Sequence, residues 1–165
     1  MAGELPHPGA EAAAGASRRV TIRRFEPGDL RRILAIEADG FGKYAWPAEL
    51  FREYYEEAPE LFLVAPAGRT LAGYVIATMW RGGAEIDSIA VHSRYQGQGF
   101  GLALFRAAKR RVAARGARAI WLMVRPDNTR AIEFYRRLGF VRVGSVARYY
   151  EDESPGWRLR LKLDG

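Results

Sequence analysis

Three glycines at alternate positions, Gly97, Gly99 and Gly101, sit between a run that reads as a strand and a run that repeats as a helix. The strand-like run ends Ser88-Ile89-Ala90-Val91, and an amphipathic helix is expected from Leu102 to Ala114, closed by Gly116. Glycine lets successive main-chain N–H groups turn into one concavity, and a helix N-terminus adds partial positive charge there. Such a turn suits a pyrophosphate. A dinucleotide loop of the Rossmann kind would follow the first strand of a βαβ unit and precede an acidic residue closing the next strand. Here the loop follows the third strand of an antiparallel run, and the strand after the helix ends Val124-Arg125-Pro126. The spacing therefore points to a phosphate loop in a different topology.

The flanking elements define that topology. Residues 1–17 hold almost nothing large and apolar, which predicts a disordered tail and places one domain over residues 18–165. With 165 residues, 48% of them hydrophobic, the chain suffices for one core and not for two ordinary domains. Alternation predicts a strand over Arg18 to Arg24, and Pro27-Gly28-Asp29 opens a helix carrying Leu30, Ile33, Leu34 and Ile36. A loop from Gly40 to Trp46 leads through Pro47 to a second helix. Strands are expected over Leu61–Ala65, Thr70–Arg81, Ala84–Val91, Ala119–Val124, Phe140–Val146 and Trp157–Leu163, with a helix over Thr129–Leu138. The order βααβββαβαββ is an α/β (α+β) domain: a mixed, mostly antiparallel sheet of about seven strands flanked by four helices.

Composition narrows the chemistry. Cysteine is absent and the histidines are His7 and His92 alone, so thiolate nucleophiles are excluded and a metal site is not expected. The net charge of +7 is mostly arginine and would attract nucleic acid, an acidic membrane surface or a phosphorylated cofactor; solvated helix faces account for it equally well. No apolar run is long enough to span a bilayer and no signal pattern opens the chain, so a cytoplasmic protein without a membrane partner is expected. Oligomeric state leaves no trace in the sequence.

A second motif runs from Trp121 to Phe140 and contains Asp127-Asn128, Ala131, Tyr135 and Leu138-Gly139-Phe140. With Gln96-Gly97-Gln98-Gly99-Phe100-Gly101-Leu102 it resembles the acyl-CoA site of the GNAT superfamily of N-acetyltransferases, from about Val20 to Leu163. The resemblance implies the GNAT fold, acetyl-CoA as acetyl donor and no metal. It puts Ile89, Ala90 and Val91 along the pantetheine arm, Gln96 to Leu102 at the pyrophosphate, and Asn128, Ala131 and Tyr135 beside the coenzyme. A purely structural role would make Asn128 a helix cap and Tyr135 a core aromatic.

Acetyl transfer needs an unprotonated amine, a donor for the developing oxyanion and a proton for the departing thiolate. Tyr135 is the expected acid, because a phenol stays protonated at neutral pH. The Val91 N–H is the expected oxyanion donor, which requires the strands flanking the coenzyme to splay apart. Glu85 and Asp87 are the only carboxylates on the relevant strand. In a regular strand Glu85 shares a face with Asp87, Ile89 and Val91, and Glu85 is expected as the base; a bulge would bring Asp87 into play instead.

Ile36-Glu37, Phe41, Trp46 and Phe51, together with Arg148-Tyr149-Tyr150, resemble the ribosomal-protein-alanine and archaeal N-terminal acetyltransferase branch of the superfamily. In that branch Phe41 and Trp46 would shape the pocket for the first peptide residue, and Tyr149 and Tyr150 would hold the peptide backbone. The acceptor implied is a protein N-terminus, with association with the ribosome. Two departures bear on this: Met123 stands where the branch carries a carboxylate, and Glu151-Asp152-Glu153 follows the tyrosines. Those departures leave open a small amine as acceptor. A module that only senses acyl-CoA or binds RNA is the alternative outside enzymes.

Overall fold

The computed structural model describes residues 19–164; the tail expected over residues 1–17 lies outside the described residues. Seven strands and four helices follow one another as β1 (Arg23–Arg24), α1 (Leu30–Phe41), α2 (Ala48–Glu57), β2 (Phe62–Ala67), β3 (Thr70–Trp80), β4 (Gly83–Val91), α3 (Phe100–Ala114), β5 (Ala119–Val124), α4 (Thr129–Arg137), β6 (Val141–Val146) and β7 (Gly156–Lys162). This is the order expected from the sequence. The sheet runs β1-β2-β3-β4-β5-β7-β6, antiparallel except where β4 lies beside β5.

The first strand is shorter than alternation suggested. It pairs only as Arg23 with Val64 and Arg24 with Leu63. On its other side β2 shifts register against β3 between Ala65 and Pro66 and then pairs on to Ala67 with Thr70. Val20 and Ile22 still pack against the core.

Asp29 fixes the entry to α1. Its carboxylate accepts from the Glu26 N–H at 2.9 Å and receives a two-pronged hydrogen bond from Arg23 at 2.8 and 2.9 Å. Ile33, Ile36 and Phe41 then fall on one side of the helix, at the spacing that faces a core. They join Trp46, Phe51, Phe62, Tyr74 and Ala90 in one apolar layer. A second layer, on the other side of the sheet, gathers Leu104, Ala108 and Val112 of α3, Phe134 and Tyr135 of α4, and Ile89 and Val91. Thus α1 and α2 cover one face and α3 and α4 the other. Among the described residues no helix is long and apolar enough to cross a membrane.

Candidate functional site

The sheet opens in its middle. Strands β4 and β5 pair only as Ala84 with Ile120 and Glu85 with Trp121. Beyond those two pairs they diverge, so β4 from Ile86 to Val91 faces a gap. The His92 N–H donates to the Ala72 carbonyl on β3 at 2.8 Å. Alternation along an extended strand then turns the Val91 N–H away from β3 and into the gap. The splay that the oxyanion role required is present.

The glycine loop closes one end of this gap. Gly97 and Gly99 have φ of +76° and +87°, and Gly99 is the N-cap of α3. The first N–H groups of α3 have no helical acceptor, so they are exposed toward the loop's concave side. Gln96 braces the turn by donating from Nε2 to the Val91 carbonyl at 3.3 Å, and Gln98 donates to the Arg94 carbonyl at 3.4 Å. Phe100 is buried and anchors the helix start, whereas Leu102 is half-buried. Gly101 is buried without a positive φ; a Cβ there would touch Val91 and Phe134 at ordinary contact distance. Main-chain donors, a helix N-terminus and an open edge of β4 together fit the diphosphate and pantetheine of a coenzyme.

The second motif lies across the gap. Asn128 caps α4, its Oδ1 accepting from the Ala131 N–H at 3.2 Å, so the capping role is observed. Tyr135 is buried in the α3–α4 layer, where burial first and the nearby Tyr150 second push its phenol well above its ordinary pKa. Tyr150 comes from the segment between β6 and β7. The Arg125 guanidinium lies 4.0 Å over its ring and binds Asp152 at 2.9 Å, fastening this segment to the end of β5. Asp152 is therefore already engaged by a cation of this chain.

On the α1–α2 face the strand is not regular. Ile76 pairs with Ser88 and Ala77 with Ile86, leaving Asp87 as the extra residue of a β-bulge. Ile86 and Ile89 consequently share the α3 face, while Asp87 and Ser88 both turn toward α1 and α2. Glu85 does not lie on the face of Ile89 and Val91, as a regular strand would have it. It pairs instead with Arg158 of β7 at 3.6 Å. Burial raises its pKa and Arg158 opposes that rise. Asp87 accepts from the Thr78 hydroxyl at 2.9 Å and the Tyr54 hydroxyl at 3.5 Å. Burial, assisted by the charge of Glu85 and opposed by these donors, lifts its pKa to about 7.

Aromatic residues wall this side. Trp46 stacks on Tyr54 at 5.4 Å, and Tyr149 lies close enough to influence the Tyr54 hydroxyl. Gly156 makes room for Tyr149: a Cβ there would stand 2.9 Å from its Cδ1 and 2.7 Å from Met123 Cε. Met123 is buried with its sulfur 4.0 Å from Arg158. Phe41 sits inside the apolar layer, at the edge of this wall. Beneath it the buried Glu37 accepts from the Trp46 N–H at 2.9 Å and from the Tyr74 hydroxyl, which also meets Ser88 Oγ at 2.8 Å. Glu37 was noticed in the sequence as part of a pocket segment; its role as a clamp between α1, β3 and β4 was not. The bonding of Tyr54 and Thr78 to Asp87 was missed altogether, since their contacts arise only once the bulge is in place.

The description "Acetyltransferase (GNAT) family" matches residues 30–140. An uncharacterised protein of Mycobacterium leprae is 33% identical over 153 residues, 88% of this chain, although the chain spans only 41% of that relative's length. The N-alpha-acetyltransferase RimI of Mycobacterium tuberculosis is 36% identical over 136 residues, covering 79% of this chain and 84% of the relative. Among solved structures, Ard1 from Thermoplasma volcanium superposes with a TM-score of 0.84 at 28% identity, over 88% of this chain and 99% of that one.

Proposed function

Because the chain belongs to the GNAT acetyltransferase family and takes its acetyl group from acetyl-CoA, we propose that it delivers that group to the N-terminal α-amine of a protein in the cytoplasm. One observation carries this reading. Two segments far apart in sequence, the α1–α2 connection and the β6–β7 connection, meet on the acceptor side of the gap. Tyr44 reaches Asp152 at 3.5 Å, and Tyr54 lies near Tyr149. An aromatic cleft between two such loops suits the first residues of a peptide. The likeness to an enzyme named as an N-alpha-acetyltransferase supports the same acceptor, and ribosomal association belongs to this reading.

The chemistry favours an α-amine. At pH 7 freeing it of its proton costs about 1.4 kcal/mol, against about 4.6 kcal/mol for a lysine side chain. Its nitrogen attacks the thioester carbonyl carbon, the Val91 N–H receives the developing oxyanion, and the carbon–sulfur bond breaks with the Tyr135 phenol protonating the thiolate. Mass spectrometry of a panel of peptides and amines incubated with acetyl-CoA tests the acceptor. Acetyl groups should appear on free peptide N-termini and be absent from N-terminally blocked peptides. Transfer confined to polyamines or other small amines would overturn the peptide reading.

A further inference from the structure

Whatever the amine, its proton must go somewhere as the new carbon–nitrogen bond forms, and β4 offers two carboxylates. Glu85 lies 3.6 Å from Arg158 of β7, whose positive charge works against the rise in basicity that burial gives that carboxylate. Met123 supplies none, and its sulfur faces the same guanidinium. Asp87 makes no ion pair among the described residues. The bulge sets it just past the last β4–β5 pair, where the gap begins, and turns it to the face walled by Trp46, Tyr54 and Tyr149. Tyr135 belongs to the opposite layer. Acid and base thus stand on two sides of one opening, as a reaction that takes a proton from the incoming nitrogen and gives one to the outgoing sulfur requires.

We propose that Asp87 is the base that removes the proton from the attacking amine, positioned by Thr78 and Tyr54 at the bulge of β4. The proposal rests on amine acetylation as the reaction, not on the identity of the amine. As the carbon–nitrogen bond forms, the nitrogen's proton passes to the Asp87 carboxylate. As the carbon–sulfur bond breaks, Tyr135 protonates the thiolate. Asp87 then yields its proton to solvent, from which Tyr135 is restored. Glu85 acts on Asp87 through its charge, and its pairing with Arg158 fixes where that charge lies. The groups facing Asp87 are Thr78 from β3, Tyr54 from α2 and Glu85 from β4; Arg158 from β7, Glu57 from α2 and Tyr149 act on it through these. Its pKa of about 7 suits a base that works at neutral pH.

The test is the pH dependence of kcat/KM for acetyl-CoA-saturated enzyme with the best acceptor of the panel, so a small-amine substrate serves as well as a peptide. Asp87→Asn should lower kcat roughly 100- to 10,000-fold at neutral pH and erase the ascending limb that the amine's own titration does not supply. Its KM for acetyl-CoA should stay within about twofold. Glu85→Gln removes a negative neighbour and should move the limb to lower pH. Thr78→Val removes a donor to the carboxylate and should move it higher. A merely structural Asp87 would move none of these limbs. Loss of the limb in Glu85→Gln with its retention in folded Asp87→Asn overturns the assignment. Carbon-13 NMR of the Asp87 carboxyl requires no acceptor, and a midpoint at the ordinary aspartate value would overturn it independently.

Discussion

Tyr135 shows how much one residue's position can decide. Its phenol is buried beneath α4 and raised well above its usual pKa, so it holds its proton throughout any working pH range. Tyr135→Phe should therefore lower kcat roughly 100- to 10,000-fold, leave coenzyme affinity unchanged and add no new limb to the pH profile. Isothermal titration with CoA and single-turnover kinetics separate the two effects. A fall of less than about twofold, with chemistry rate-limiting, would make Tyr135 a packing residue. This residue was legible in the sequence because its motif is local: the asparagine cap, the helix and the Leu138-Gly139-Phe140 turn are contiguous. Asp87 was legible only as an alternative. Whether a carboxylate on β4 faces one layer or the other depends on a bulge set by pairing with β3, and period-two alternation contains no record of that register.

At the scale of elements, helices and strands other than β1 were legible to within a residue or two because their apolar periods are strong, while the contacts between them were not. Glu37 is the clearest case. One buried carboxylate receives the Trp46 N–H from the loop before α2 and the Tyr74 hydroxyl from β3, which in turn meets Ser88 beside the bulge. Burial raises its pKa against the pull of those donors. Glu37→Ala would leave the buried Trp46 N–H without an acceptor and the Tyr74 hydroxyl with Ser88 alone, and chemical denaturation should show a loss of about 1 to 3 kcal/mol. Glu37→Gln, which keeps an acceptor oxygen, should cost less. The same clamp sets the height of Trp46 against Tyr54, so in Glu37→Ala the KM for the acceptor should rise more than the KM for acetyl-CoA. Equal stability of the Ala variant and the native chain would show that Trp46 is held by its stacking alone.

At the scale of the whole molecule the sheet consists of two halves, β1 to β4 and β5 to β7 with β6, hinged at two residue pairs and divided by the gap. The order of elements foretold the fold, and the opening was anticipated only from the chemistry it must serve, since no local pattern marks where two parallel strands part company. A ligand filling the gap touches both halves and binds only the folded chain, so it should stabilise the molecule as a unit. At a CoA concentration of about 100 times its dissociation constant the gain is about 2.7 kcal/mol, or a rise in Tm of roughly 5 to 10 °C for a domain of this size. Gly99→Val is the decisive variant. Nothing lies within 4 Å of a Cβ at that position, so crowding is no obstacle, but φ is +87°, where a β-branched residue is strained. The loop would have to re-form and its N–H groups would leave the concavity that faces the diphosphate. Differential scanning fluorimetry should then show a slightly lower Tm without ligand and little or no rise with CoA. A full rise in Gly99→Val would mean that the diphosphate is held elsewhere and that this loop is a tight turn and nothing more.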